Sequence, residues 1–234
     1  AYVEDLQLGG LRILRAEGLP GYTTDAVLLA DFAAARPGQR VCDLGTGTGI
    51  LPLLLIGRER HLTITGVELD ARQADMAARS VRLNGLEDSV RMLQGDLRAI
   101  RSLLPQAAFD LVICNPSYHK GTGKPETHQA ACTWADVTAA AAWLLRPKGR
   151  LCVCCPAAGM LDMAAAMRGA GIEPKRLRLA ASRADKAPYL CLMEGILGAR
   201  PGLRVEPQLT MLEEGGAFTR EARRIYHMED IEPA

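Results

Sequence analysis

Apolar runs of strand length recur at 40–44 (RVCDL), 62–67 (LTITGV), 89–94, 109–114 (FDLVIC) and 150–155 (RLCVCC), with helix-length stretches between them. Alternation of that kind predicts parallel strands joined by crossover helices, here over roughly 48–58, 71–84, 97–104, 133–146 and 157–171. LRLAAS at 177–182 and APYLCLMEGIL at 187–197 flank a short polar turn and predict an antiparallel hairpin. The fold class is therefore α/β, a doubly wound and mostly parallel sheet with that hairpin at one edge.

The segment 198–208 (GARPGLRVEPQ) is rich in Gly and Pro and reads as a loop; a short strand, a Gly215-Gly216 turn and a helix near 219–227 follow it. Residues 1–35 form a cap ahead of the first strand, with a helix over 24–35 started by Thr23 or Thr24. On this reading one domain spans 1–234: the cap, a core over 36–198 and a tail over 199–234.

With 48% hydrophobic and 24% charged residues, and no apolar run of membrane-spanning length, the chain reads as a soluble protein without a membrane partner. Its seven cysteines, odd in number and mostly inside predicted strands, point to packing thiols and a reducing, cytoplasmic compartment. A monomer is the default expectation. A net charge of +1 lacks the basic excess of a dedicated nucleic-acid binder, so any such partner must be held locally. Between Gly171 and Arg204, Lys175, Arg176, Arg178, Arg183, Lys186, Arg200 and Arg204 face only Glu173, Asp185 and Glu194, which reads either as a phosphate track or as the solvated rim of a sheet edge.

Asp43-Leu44-Gly45-Thr46-Gly47-Thr48-Gly49 follows the first strand and opens the first helix, where α/β sheets bind ligands beyond their strand ends. The spacing is G-x-G-x-G with an Asp two residues ahead, and differs from the G-x-G-x-x-G that lays a pyrophosphate on a helix N-terminus. Asp43 would repel a phosphate and could receive an ammonium group, so a nucleoside without phosphate is expected. Glu68-Leu69-Asp70 ends the second strand, about where an acid hydrogen-bonds both ribose hydroxyls, and Asp96 after the third could accept from an adenine amine. Singly, each acid reads as a helix cap or loop carboxylate; their joint order points to a cofactor.

This constellation resembles the S-adenosylmethionine-dependent methyltransferases of the Rossmann-like class (class I) over roughly residues 20–155. The resemblance implies a seven-stranded Rossmann-like sheet, S-adenosylmethionine as cofactor, and Asp43, Gly45, Thr46, Gly47, Glu68, Leu69, Asp96 and Asn115 among the residues that hold it. A dehydrogenase would need the other glycine spacing.

Asn115-Pro116-Ser117-Tyr118 follows the fourth strand. An exocyclic amine on adenine is a poor nucleophile because its lone pair is delocalised into the ring. If the Asn115 side-chain oxygen and the Pro116 carbonyl accept its two hydrogens, the nitrogen is drawn toward tetrahedral geometry and can attack. Tyr118 offers a flat face for a flipped-out base. By itself N-P-S-Y is also an ordinary Asn-Pro turn. It matches the Asn-Pro-Pro-Tyr type motif of amino methyltransferases, with Ser117 in place of the second Pro, and makes Asn115, Pro116 and Tyr118 the catalytic candidates.

That motif resembles those acting on adenine of DNA or RNA, on guanine N2 and on a protein glutamine amide. GYTTDAVLL at 21–29, EPKRLRL, ADKAPYLCLMEG and the tail GARPGLRVEPQLTMLEEGGAFTREARRIY together are similar to the bacterial tRNA adenine-N6 methyltransferase family, whose named member modifies the purine next to the anticodon of a valine tRNA. The likeness implies tRNA, or another structured RNA, as partner, with Tyr22, Thr24 and Asp25 at the rim of the cofactor and base pocket. The polar stretch HKGTGKPETHQAACTW, beginning with His119 and Lys120, is then a substrate loop.

Cys114, His119, His128 and Cys132 lack the short paired spacings of structural zinc sites, so no metal is expected. The alternatives to N6-methylation of an RNA adenine are transfer to a glutamine amide or guanine N2, and a catalytically silent RNA-binding protein that keeps the cofactor pocket.

Overall fold

The computed structural model describes residues 1–19, 23–116 and 132–228. The chain opens with an antiparallel ribbon, β1 (Tyr2–Asp5) and β2 (Arg12–Arg15), inside the stretch expected to be a cap with one helix. Four-residue strands without a period-2 apolar pattern leave little signal. Their backbone groups are held from outside: Asn84 accepts from the Arg12 amide at 2.9 Å and donates to its carbonyl at 2.6 Å, and Ser80 Oγ accepts from Leu14 at 3.0 Å. The expected helix is α1 (Thr24–Ala33).

From there β3 (Arg40–Leu44), α2 (Ile50–Arg58), β4 (Thr63–Glu68), α3 (Ala71–Leu83) and β5 (Val90–Gln94) alternate as the apolar runs predict. The stretch 97–104 forms a 3₁₀ turn followed by only a four-residue helix, α4 (Ile100–Leu103). β6 (Phe109–Cys114), α5 (Trp134–Leu144), β7 (Leu145–Pro156) and α6 (Met160–Gly169) follow, then β8 (Ile172–Ala181) and β9 (Leu190–Leu197) as the antiparallel pair. β7 begins at Leu145, five residues earlier than the apolar run RLCVCC, and so ends α5 before residue 146.

In the sheet, β5, β4, β3, β6 and β7 lie side by side and parallel, then β9 antiparallel to β7, then β8. These are the seven expected strands. Two-residue strands β10 (Arg204–Val205) and β11 (Leu209–Thr210) add to β8, making nine in this sheet among the described residues, and α7 (Arg220–Ile225) closes the described chain. Alternate residues of β3 face opposite layers: Val41 packs with α1 and α2, while Cys42 and Leu44 pack with α5. All seven cysteines are thiols, and six of them are buried. No helix among the described residues is long and apolar enough to cross a membrane.

Candidate active site

β3 and β6 are neighbours, yet the chain winds outward in opposite directions from them, to β4 and β5 on one side and to β7 on the other. The loops leaving their C-terminal ends therefore diverge and open a crevice. The glycine loop leaves β3 into this crevice and Asn115 leaves β6.

Gly45, Gly47 and Gly49 have φ of +72°, +58° and +89°, a region L side chains disfavour. The space a Cβ on Gly45 would take is open, whereas one on Gly49 would stand 3.1 Å from the Ala77 Cβ of α3. The first glycine thus leaves room above the strand end and the third lets the loop press on α3. The Gly45 and Thr46 amides donate to the Val67 carbonyl at 2.9 and 3.0 Å, and the Gly47 amide donates to Glu68 Oε2 at 2.8 Å. Glu68 Oε1 accepts from Asp70 N at 2.9 Å, so the buried carboxylate is fixed by two amides. Each oxygen keeps a second lone pair, which suits a vicinal diol. Leu69 beside it is 41% exposed, an apolar surface for a flat base.

Asp43 is fully buried, and neither carboxylate oxygen has a hydrogen-bond partner among the described residues; nor has Thr46 Oγ1 nearby. Burial pushes the Asp43 carboxyl up to about 7; the Thr46 hydroxyl pulls it down in part and the Glu68 charge adds to the rise. Orphaned buried oxygens of this kind require a partner. Asp96 is differently occupied: it caps the turn at Arg98 N and takes the Arg98 guanidinium on both oxygens, at 2.6–3.0 Å. That arginine holds its carboxyl below the usual range, so an adenine amine there would share it with Arg98.

Asn115 is half-buried, with Oδ1 3.1 Å from the Cys154 Sγ of β7. Thr24 and Asp25 lie in the first turn of α1. Burial raises the Asp25 carboxyl, opposed by the Thr24 hydroxyl, and its charge in turn helps raise the Cys154 thiol and the Tyr189 and Tyr226 phenols. The first turn of α1 thus lies within electrostatic reach of Cys154, the neighbour of Asn115, and of two phenols. Phe218 stacks obliquely on Tyr226, ring centres 5.6 Å apart. Tyr22, Ser117, Tyr118, His119 and Lys120 lie outside the described residues, as does His128.

The methyltransferase small domain matches residues 23–168, the stretch that builds this crevice. The chain belongs to that family. Among curated methyltransferases it is 30% identical to the tRNA1(Val) (adenine(37)-N6)-methyltransferase of Tolumonas auensis, over 85% of this chain and 84% of that one. It is 32% identical to the protein of the same name from Cronobacter sakazakii, over 73% and 72%. A solved structure of a predicted O-methyltransferase from Agrobacterium tumefaciens superposes with a TM-score of 0.74, covering 87% of this chain and 95% of the other at 24% identity, a likeness of fold.

The methyl donor of this class, S-adenosylmethionine, fits the residues present. Its cationic amino-acid end would answer the two orphaned Asp43 oxygens, and the amide-fixed Glu68 would offer paired acceptors for a ribose. Among the described residues this methyltransferase has no group of side chains suited to a metal.

Sequence reasoning missed Cys154 as a neighbour of Asn115. Cys154 reads as one more apolar position in a strand, and only the β6–β7 pairing, Cys114 against Val153, puts it beside Asn115. The basic stretch resolves largely into internal ion pairs: Arg176 with Glu194 and Glu206, Arg178 with Glu221, and Arg183 with Asp185.

Proposed function

We propose that the chain, acting as one domain and as a monomer in the cytoplasm, methylates the N6 amine of an adenine in tRNA. The observation that supports this is the position of Asn115, a carboxamide just past the end of β6, beside the glycine loop that leaves the neighbouring strand β3. The relatives' shared name points to adenine 37 of a valine tRNA as the first substrate to try.

Bound S-adenosylmethionine supplies an electrophilic methyl group. Asp43, Gly45, Thr46, Gly47, Glu68 and Leu69 hold the cofactor, with Asp96 and the first turn of α1 at its margins. Asn115 Oδ1 and the Pro116 carbonyl accept from the adenine amine, which localises the nitrogen lone pair, and Tyr118 stacks the base. The methylated amine is a strong acid and loses its proton to water, so no side chain has to act as general base. Tyr22, His119 and Lys120 meet the RNA around the flipped nucleotide.

Labelled S-adenosylmethionine incubated with unmodified tRNA, followed by nucleoside analysis, tests the reading. Label in N6-methyladenosine is expected. Label only in protein, or none with cofactor bound, would move the activity to a glutamine amide or leave a silent RNA-binding protein.

A further inference from the structure

Cys154 is 1% exposed, belongs to the central strand β7, and is not needed as a nucleophile. Its neighbour in β7, Val153, pairs with Cys114, so Cys154 stands level with the first residue beyond β6, which is Asn115. Sγ and the Asn115 Oδ1 are 3.1 Å apart. A carboxamide oxygen carries no hydrogen, so the thiol is the donor. Burial, with the charges of Asp25 and Cys191 adding, raises its pKa well above the ordinary value, so the S–H persists at neutral pH.

We infer that Cys154 is a positioning residue for the amine grip: its thiol donates to Asn115 Oδ1, fixes which end of the carboxamide is oxygen, and leaves that oxygen's other lone pair for the substrate amine. This rests on the reading of Asn115 proposed above. The two ends of an Asn carboxamide are almost isosteric and opposite in hydrogen-bonding sense. A site that must accept from an amine needs the oxygen end presented, and Asn115 lies just past the strand, where the β-ladder no longer restrains it. A buried donor behind the oxygen supplies the missing restraint, and a site so set accepts amino groups and disfavours carbonyls.

The test compares Cys154→Ser, Cys154→Ala and Cys154→Val. A core-filling cysteine and a donating one rank these in opposite orders: Val retains volume without a donor, Ser retains a donor but is a poor apolar filler. Expected is near-parental kcat for Ser, a fall of roughly five- to tenfold for Ala and Val, and an unchanged Kd for S-adenosylmethionine in all three. Turnover that tracks volume, with Val best and Ser worst, would overturn the inference. An infrared measurement covers the case where a variant folds poorly. It needs only the parent and Asn115→Ala: one S–H band should move from a low, hydrogen-bonded frequency to a higher one when Oδ1 is removed, and S–H spectra that do not differ would also overturn the inference. Full turnover in Asn115→Ala would instead remove the amine-grip reading itself, whatever the cysteine variants do.

Discussion

Gly47 and Glu68, 21 residues apart, are joined by one 2.8 Å hydrogen bond from the loop amide to Oε2. It ties the glycine loop of β3 to the acid at the end of β4, so the two parts that would hold a nucleoside are set relative to each other before any ligand arrives. Glu68→Ala removes both the acceptor pair and this tie. The Kd for S-adenosylmethionine should rise at least tenfold, as expected for loss of charged hydrogen bonds of about 1.5–3 kcal/mol. Isothermal titration measures it, and an unchanged Kd would take Glu68 away from the ribose.

Asp43 titrates at about 7 in the folded protein, against an ordinary value of 3.8 in the unfolded chain. Between those values the folded state holds the extra proton. The stabilising contribution is therefore fully present below the lower value and is lost as pH rises through the upper one. The unliganded protein should lose stability across that window, by at most a few kcal/mol at about 1.4 kcal/mol per pH unit, and Asp43→Asn should flatten the curve. A cofactor ammonium favours the ionised form, so binding at about pH 6.5 should release protons. Calorimetric heats that are equal in buffers of different ionisation enthalpy would exclude this.

Asn115→Ala should lower kcat by roughly 100-fold or more, the scale of losing one preorganised polar group at the reacting centre. The Kd for S-adenosylmethionine should stay within about twofold if the side chain acts mainly on the amine. Single-turnover assays with tRNA in excess separate the two.

Asp31 of α1 accepts Arg58 Nη1 at 3.1 Å and both terminal nitrogens of Arg224 at 2.9 and 3.0 Å, while Arg58 Nη2 also donates to the Ile225 carbonyl at 2.7 Å. Asp31→Ala would leave the largely buried Arg58 cation without its carboxylate, and should cost about 2 kcal/mol or more. Chemical denaturation should show a lower midpoint, with cleavage by protease beginning in the tail around α7. A variant as stable as the parent would show that this ion pair does not hold the tail.

The placement of the glycine loop, of Glu68 and Asp96 and of Asn115 at strand ends was legible because the apolar runs locate those ends to within a residue or two. β3 at Arg40–Leu44 and β6 at Phe109–Cys114 coincide with their runs. The β1–β2 ribbon was not legible, since its pairing depends on side chains of Ser80 and Asn84 some seventy residues away. Cys154 was hidden for a similar reason. A cysteine in an apolar strand looks like filler until the neighbouring strand's register is known. Asp96 reads from the sequence as available to an adenine, and its engagement by Arg98, only two residues on, shows how readily a loop acid finds a local cation.

The far end of α1 has a consequence for the near one. Arg150 donates to the Ala33 and Ala34 carbonyls, Arg176 to that of Phe32, and Glu194 between them bridges both arginines across β7, β8 and β9. Thr24 and Asp25 sit at the opposite tip, about 15 Å along a ten-residue helix. α1 is thus a lever with a charged fulcrum in the sheet, and a change at Glu194, remote from the crevice, would be felt there as a tilt of the rim.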